Sequence, residues 1–291
     1  MKTRLQPLVF CLLLPFCTAV AAAPTTLIRV KGSDTMVHVA QTWAEAYESE
    51  PRDVAISVGG GGSGSGFRAM LIGTADLVNA SRRIAVTELE RAQRLGMEPV
   101  EHVVGFDALA VYLHKDNPLE TITFAQLAEI FGRGGKIRSW TDLGIEVPGC
   151  RDQSIVRAGR QNNSGTYVYF RSAVLGKKAN YDLGILDMLS SKDVVHLVER
   201  TPCAIGYSGL AYATPQVNMA CVAKETGEPC IAPSIRSASD KSYPIARPLF
   251  VYTKHQPSGE IKAYLDWIRS DEGQCIVKRQ GYAPIRPLAC D

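Results

Sequence analysis

Three polar segments occupy the same position in the local plan of this chain, and that recurrence constrains its fold more than any other feature. Leu27–Val30 reads as a strand, Gly32-Ser33-Asp34 as a turn, and Met36, Ala40, Trp43, Ala44 and Tyr47 then recur at helical spacing. Val54–Val58 is a second β-rich run, followed by "GGGGSGSG" and an amphipathic face that begins with Phe67, Met70 and Leu71. Ser154–Ala158 is a third strand, followed by the loop "GRQNNSGT" and a helix carrying Tyr167, Phe170 and Val174. Asp76–Ala80 and Leu109–His114 read as further strands, "TPCAIGYSGLAYA" as a strand and turn, "YPIARPLFVYTK" as a strong strand, and 259–282 as largely helical. Alternation of this kind implies an α/β fold, a sheet with helices on both faces.

A loop that leaves a strand and opens a helix has a chemical consequence. The first helical turn presents backbone N–H groups without intrahelical partners and carries the positive end of the helix dipole. Together these make an anion site. Glycine lets the main chain approach closely, and serine and threonine hydroxyls add donors. In an open α/β sheet such loops gather beyond the carboxyl ends of the strands, where ligands bind. A single Ser or Asp at a helix start is most simply a cap. Three loops of this composition, one with the planar fork of Arg160 ahead of Ser164-Gly165-Thr166, point instead to a shared oxyanion. Trp43, Tyr47 and the tyrosines after Ser164 are expected to pack the core.

The first segment stands apart from the fold. Lys2 and Arg4 precede the apolar run from Leu8 to Phe16, and Ala21-Ala22-Ala23 follows. This is the pattern of a cleavable export signal spanning 1–23. A bulky Phe16 before Cys17 argues against a lipid anchor. No other run approaches the roughly 20 apolar residues that span a bilayer. Loss of the signal takes the formal charge from +3 toward neutrality, so no basic patch for nucleic acid is expected. Cys11 and Cys17 leave with the signal, and six cysteines remain. In an exported chain they should form disulfides. Proximity favours Cys221–Cys230 and Cys275–Cys290, which leaves Cys150–Cys203. Zinc is the rival reading, but there is no C-x-x-C and no histidine cluster.

Other motifs fail on context. Gly59, Gly61 and Gly64 fit G-x-G-x-x-G, yet Asp76 comes too early for the acidic residue of a dinucleotide site. Neither Ser63 nor Ser65 sits in G-x-S-x-G. The histidines at 38, 102, 114, 196 and 255 are scattered. No nucleophile and base pair is apparent, so no enzyme and no cofactor is expected.

The motifs "GSDTM", "GGGSGSGF", "ADLVNASR", "FDALAV", "FAQLAEIF", "GRQNNSGTY", "AIGYSGLAYA" and "YPIARPLFVY" occur in this order over nearly the whole mature chain. On these it resembles the periplasmic phosphate-binding proteins of bacterial ABC-type phosphate transporters. The resemblance implies two α/β lobes, each a mixed sheet flanked by helices, joined by two hinge strands. Lobe one would comprise 24–110 plus 247–291, and lobe two 111–246. It implies a periplasmic monomer that encloses inorganic phosphate and delivers it to a membrane permease. Position by position, it implies a phosphate site of Ser33, Asp34, Thr35, Ser63, Gly64, Ser65, Arg160, Ser164, Gly165 and Thr166. Some members of the family carry an aspartate where this chain has Arg82, a carboxylate that would accept the proton of hydrogen phosphate. Arg82 is therefore counted with the site, and Asp34 is the candidate substitute acceptor, with plain helix capping as its alternative. The competing functions are a binding protein for sulfate, molybdate or tungstate, and an exported serine hydrolase or phosphatase using Ser63 or Ser164.

Overall fold

The computed structural model describes residues 26–50 and 53–290; the segment read as an export signal lies outside them. The first half of the chain forms β1 (Thr26–Gly32), α1 (Val37–Glu48), β2 (Val54–Gly59), α2 (Ser63–Leu71), β3 (Leu77–Ala80), α3 (Val86–Arg94) and β4 (Val100–His114). It continues through β5 (Thr121–Thr123), α4 (Phe124–Phe131), β6 (Val156–Arg160), α5 (Gly165–Phe170), β7 (Leu186–Met188), α6 (Ser191–Arg200), β8 (Ala204–Gly209) and β9 (Val217–Met219). Then come β10 (Cys221–Ala223), α7 (Ile235–Ser239), β11 (Ala246–Thr253), α8 (Gly259–Ile268) and α9 (Asp271–Arg279).

The strands order as β2-β1-β3-β11-β4-β8-β6-β7, with β9 also on β4 and a separate β5–β10 pair. β1 runs parallel to β2 and β3, and β6 runs parallel to β8 and β7. β11 is antiparallel to both β3 and β4. β4 is the long element that joins the two halves. Its Val100–Ala108 portion pairs with β11, and its Leu109–Leu113 portion pairs with β8. The hydrophobic core divides along the same line. Ile28, Val30, Trp43, Tyr47 and Leu265 pack in one cluster, and Val111, Leu113, Phe131, Trp140 and Phe170 in another. Each such side chain contributes about 1.5–3 kcal/mol by leaving water. This is the two-lobed α/β architecture, and Trp43 and Tyr47 are core residues.

Local differences from the sequence reading have physical causes. α2 starts at Ser63, inside the glycine-serine run rather than at Phe67, so Gly64 and Ser65 belong to its first turn. Gly62, its cap, has φ 90°, and a Cβ there would lie 2.7 Å from the Asn163 carbonyl. Only glycine fits so close a meeting of two backbones. Arg160 is the last residue of β6 rather than part of a loop, because β7 pairs Met188 with it. After Phe170 the helix widens into a π turn, Arg171–Leu175, that carries Val174.

All three expected disulfides form: Cys150–Cys203, Cys221–Cys230 and Cys275–Cys290, with Cα separations of 5.0, 5.4 and 5.5 Å. They close loops of 53, 9 and 15 residues. The first restrains the unfolded chain most, by roughly 4 kcal/mol on a chain-entropy account.

Candidate functional site

β1, β2 and β3 are parallel neighbours, so their carboxyl ends share one edge. Ser33 to Thr35 follow β1, Ser63 follows β2, and Ser81 follows β3. The end of β6 and the start of α5 face them from the other half. The Thr35 and Thr166 hydroxyls meet at 3.0 Å across the two halves. The Gly64 N–H donates to the Asn163 carbonyl at 3.0 Å, and the Asn163 amide donates to the Gly61 carbonyl at 2.9 Å and to Ser65 Oγ at 3.2 Å. Gly165 abuts the first half so closely that a Cβ on it would lie 2.4 Å from Ser63 Oγ and 2.5 Å from Ser81 Oγ. Ser33, Thr35, Ser63, Ser81, Ser164 and Thr166 are all buried.

The hydroxyls are linked. Ser33 Oγ donates to Ser81 Oγ at 2.9 Å, and Ser63 Oγ accepts from the Ser81 N–H at 3.1 Å. Ser164 caps α5, accepting from the Thr166 N–H at 3.2 Å. An accepting hydroxyl keeps its own proton, so Ser63 and Ser164 remain donors toward an anion.

Two ion pairs serve this nest, Arg160–Asp34 within it and Arg247–Asp107 beside it. Arg160, 1% exposed, donates through Nη1 to Ser191 Oγ and through Nη2 to Asp34 Oδ2 at 3.0 Å and the Leu189 carbonyl at 3.1 Å. Its Nε is buried without a hydrogen-bond partner. Burial lowers the pKa of the guanidinium, Asp34 opposes that shift, and Arg247 adds to it. Asp34 Oδ1 accepts the Gly61 N–H at 2.7 Å, so this carboxylate ties the first two loops to β6. Arg247 and Asp107 are the second pair, fully buried, at 2.8 Å. Burial pushes the Asp107 carboxyl up, against the pull of Arg247 and the Leu210 N–H. Burial also pushes the phenols of Tyr212 and Tyr282 up, so they stay protonated; Tyr212 donates to the Asp34 carbonyl at 2.6 Å and Tyr282 to the Thr35 carbonyl.

The nest therefore gathers Ser33, Asp34, Thr35, Ser63, Gly64, Arg160, Ser164, Gly165 and Thr166. Ser65 lies one step out, on the Asn163 amide. Arg82 stands at the outer edge. Both its Nη atoms bind Glu88, at 2.8 Å each, and the guanidinium lies 5.1 Å from the Phe67 ring centre. Sequence reasoning missed Ser81, Asn163, Asp107 and Arg247. Outside the nest a cleft of about 1060 Å³ opens, lined in part by Arg68, Arg82, Arg133, Arg160, Asn163 and Tyr167. Of the residues that form the nest, it reaches Gly64 and Arg160.

Comparison with known proteins adds lineage to this geometry. A PBP superfamily domain matches residues 19–272. The phosphate-binding protein PstS of Pseudomonas aeruginosa is 32% identical over 265 residues, 87% of this chain and 81% of that one. Protein SphX of Synechococcus elongatus is 30% identical, over 91% of this chain and 79% of its own. Among solved structures, a phosphate ABC transporter substrate-binding protein of Clostridium perfringens with bound phosphate superposes with a TM-score of 0.77. It is 27% identical and covers 89% of this chain and 100% of that one.

Proposed function

The chain belongs to the PBP superfamily, in the solute-binding family of the PstS phosphate-binding proteins, and on that premise we propose that it binds inorganic phosphate and hands it to an ABC-type permease. The observation that carries the reading is the meeting of both halves at one buried nest, marked by the 3.0 Å Thr35–Thr166 contact. An oxyanion taken out of water needs a donor for every oxygen, and the loop Ser33–Thr35 and the starts of α2 at Ser63 and α5 at Gly165 supply N–H and O–H groups from separate segments. Arg160 adds positive charge. The lobe division 24–110 plus 247–291 against 111–246 is supported by the change of partner on β4 at Ala108–Leu109. Closure of the lobes by a hinge motion would enclose the ion. Work in the periplasm, after removal of 1–23, follows from the sequence of that segment.

Asp34 is the residue we assign to discrimination. Its carboxylate is part of the nest, with Oδ2 on Arg160 and Oδ1 on the Gly61 N–H, so each oxygen keeps a lone pair for a further donor, whereas Asp107 Oδ2 already takes two bonds from Arg247. A carboxylate accepts a hydrogen bond from hydrogen phosphate and repels fully ionised sulfate. A carrier is favoured over a hydrolase because the hydrogen-bond partners of Ser63 and Ser164 are backbone N–H groups rather than a general base.

Competition calorimetry tests the choice of anion. Phosphate titrated into protein holding an equal concentration of sulfate should bind as in sulfate-free buffer, and Asp34→Asn should narrow the preference at least about tenfold. Displacement of phosphate by equimolar sulfate in the unmodified protein would leave the general oxyanion reading in its place.

A further inference from the structure

Resting on the phosphate reading, we infer that Arg247 is a positioning residue for the anion, one that fixes the Thr35 hydroxyl as a donor into the nest. Arg247 stands at the start of β11, directly opposite Asp107 on β4. Its Nε and Nη2 both reach Asp107 Oδ2, at 3.0 and 2.8 Å. Asp107 Oδ1 takes the Leu210 N–H at 3.2 Å. The fork so held turns its remaining N–H groups toward lobe one. Nη1 donates to the Ser81 carbonyl and Nη2 to Thr35 Oγ1, each at 3.3 Å.

The direction of the last bond follows from chemistry. A guanidinium has donors and no acceptor, while a hydroxyl has one proton and two lone pairs. Thr35 Oγ1 must therefore accept from Arg247, and its own proton turns away. On that other side lies Thr166 Oγ1 at 3.0 Å. The Thr35 carbonyl is meanwhile fixed by the Tyr282 hydroxyl, and the preceding Asp34 carbonyl by the Tyr212 hydroxyl. Thr35 is thus held with its proton presented where the two halves meet, as an oxyanion requires. Arg247 also sits on a crossing strand and binds lobe one through Thr35 and Ser81, while its partner Asp107 binds Leu210 of lobe two.

A purely structural ion pair would act on stability alone, and such pairs are often replaceable by apolar residues. The distinguishing experiment is a double-mutant cycle on phosphate affinity, with melting followed in parallel. Arg247→Lys keeps the charge and loses the fork, and Thr35→Val removes the hydroxyl at nearly constant shape. Each alone should weaken phosphate binding by about tenfold or more. Combined, they should weaken it little more than Thr35→Val does, since Arg247 acts through Thr35. Wild-type affinity in Arg247→Lys, or losses that multiply, would overturn the assignment. If Arg247→Lys does not fold, Arg247→Met with Asp107→Asn removes both charges together. The same tenfold loss supports the inference, and unchanged affinity rejects it. The unmodified protein in the same series keeps the two questions apart. Failure of wild type to bind phosphate removes the phosphate reading itself, whereas binding with independent losses removes only the role of Arg247.

Discussion

Arg160 is buried by the contacts that aim it, and the cost of that burial is met by Asp34, Ser191 and a carbonyl. Removing it deletes a charged donor that binds directly across the two halves, to Asp34. Truncating one partner of a buried, hydrogen-bonded charge pair costs roughly 2–5 kcal/mol. Arg160→Ala should therefore weaken phosphate binding by about a hundredfold while the melting temperature of the free protein falls only modestly. Calorimetry and thermal melting on the same sample check this, and affinity within about threefold of wild type would refute it. At this scale the sequence was legible where composition carried the signal. Hydroxyls and glycines in "GSDT", "GGSGSG" and "NNSGT" announce themselves. The Asp34–Arg160 pairing did not, because 126 residues separate the partners. Arg82 was placed by a position in a motif, and its carboxylate neighbour Glu88 became visible only in the fold. Asp107 and Arg247 did leave a trace. Each interrupts an otherwise apolar strand, in "VVGFDALAV" and "YPIARPLFVY". A charge in a strand bound for the core needs a partner, and one acid facing one base was the readable clue.

The strand, loop and helix units were read correctly in kind and order because hydrophobic period and turn composition are local properties. Their ends were not, because ends are set by neighbours. β4 begins at Val100 because β11 pairs with it from there, and β6 runs to Arg160 because β7 does the same. α2 begins inside the glycine-serine run, where propensity alone argues against a helix. At the start of α5, Gly165 separates local from tertiary effects. Alanine exceeds glycine in helix propensity by about 1 kcal/mol, so Gly165→Ala should leave the unliganded lobe as stable as before, or more so. Its new methyl would collide with Ser63 and Ser81 across the interlobe contact. Overpacking of this kind costs about 1–3 kcal/mol, so phosphate affinity should fall roughly five- to hundredfold without loss of melting temperature. An unchanged dissociation constant would mean that the two halves do not close as tightly on the ion as they do here.

On the scale of the whole molecule, the two largest core clusters lie on either side of the place where β4 changes its partner from β11 to β8. None of the three disulfides, Cys150–Cys203, Cys221–Cys230 and Cys275–Cys290, joins residues 111–246 to the rest of the chain. They therefore leave free the hinge motion that the proposed function calls for. The organising idea is that hydroxyls, amide N–H groups and one arginine from distant segments act on a single ion. The most direct measurement is a calorimetric titration of the purified protein with inorganic phosphate at neutral pH. One ion per chain, with a dissociation constant below about 1 μM, is the predicted outcome. No heat of binding, or several weak sites per chain, would contradict the account.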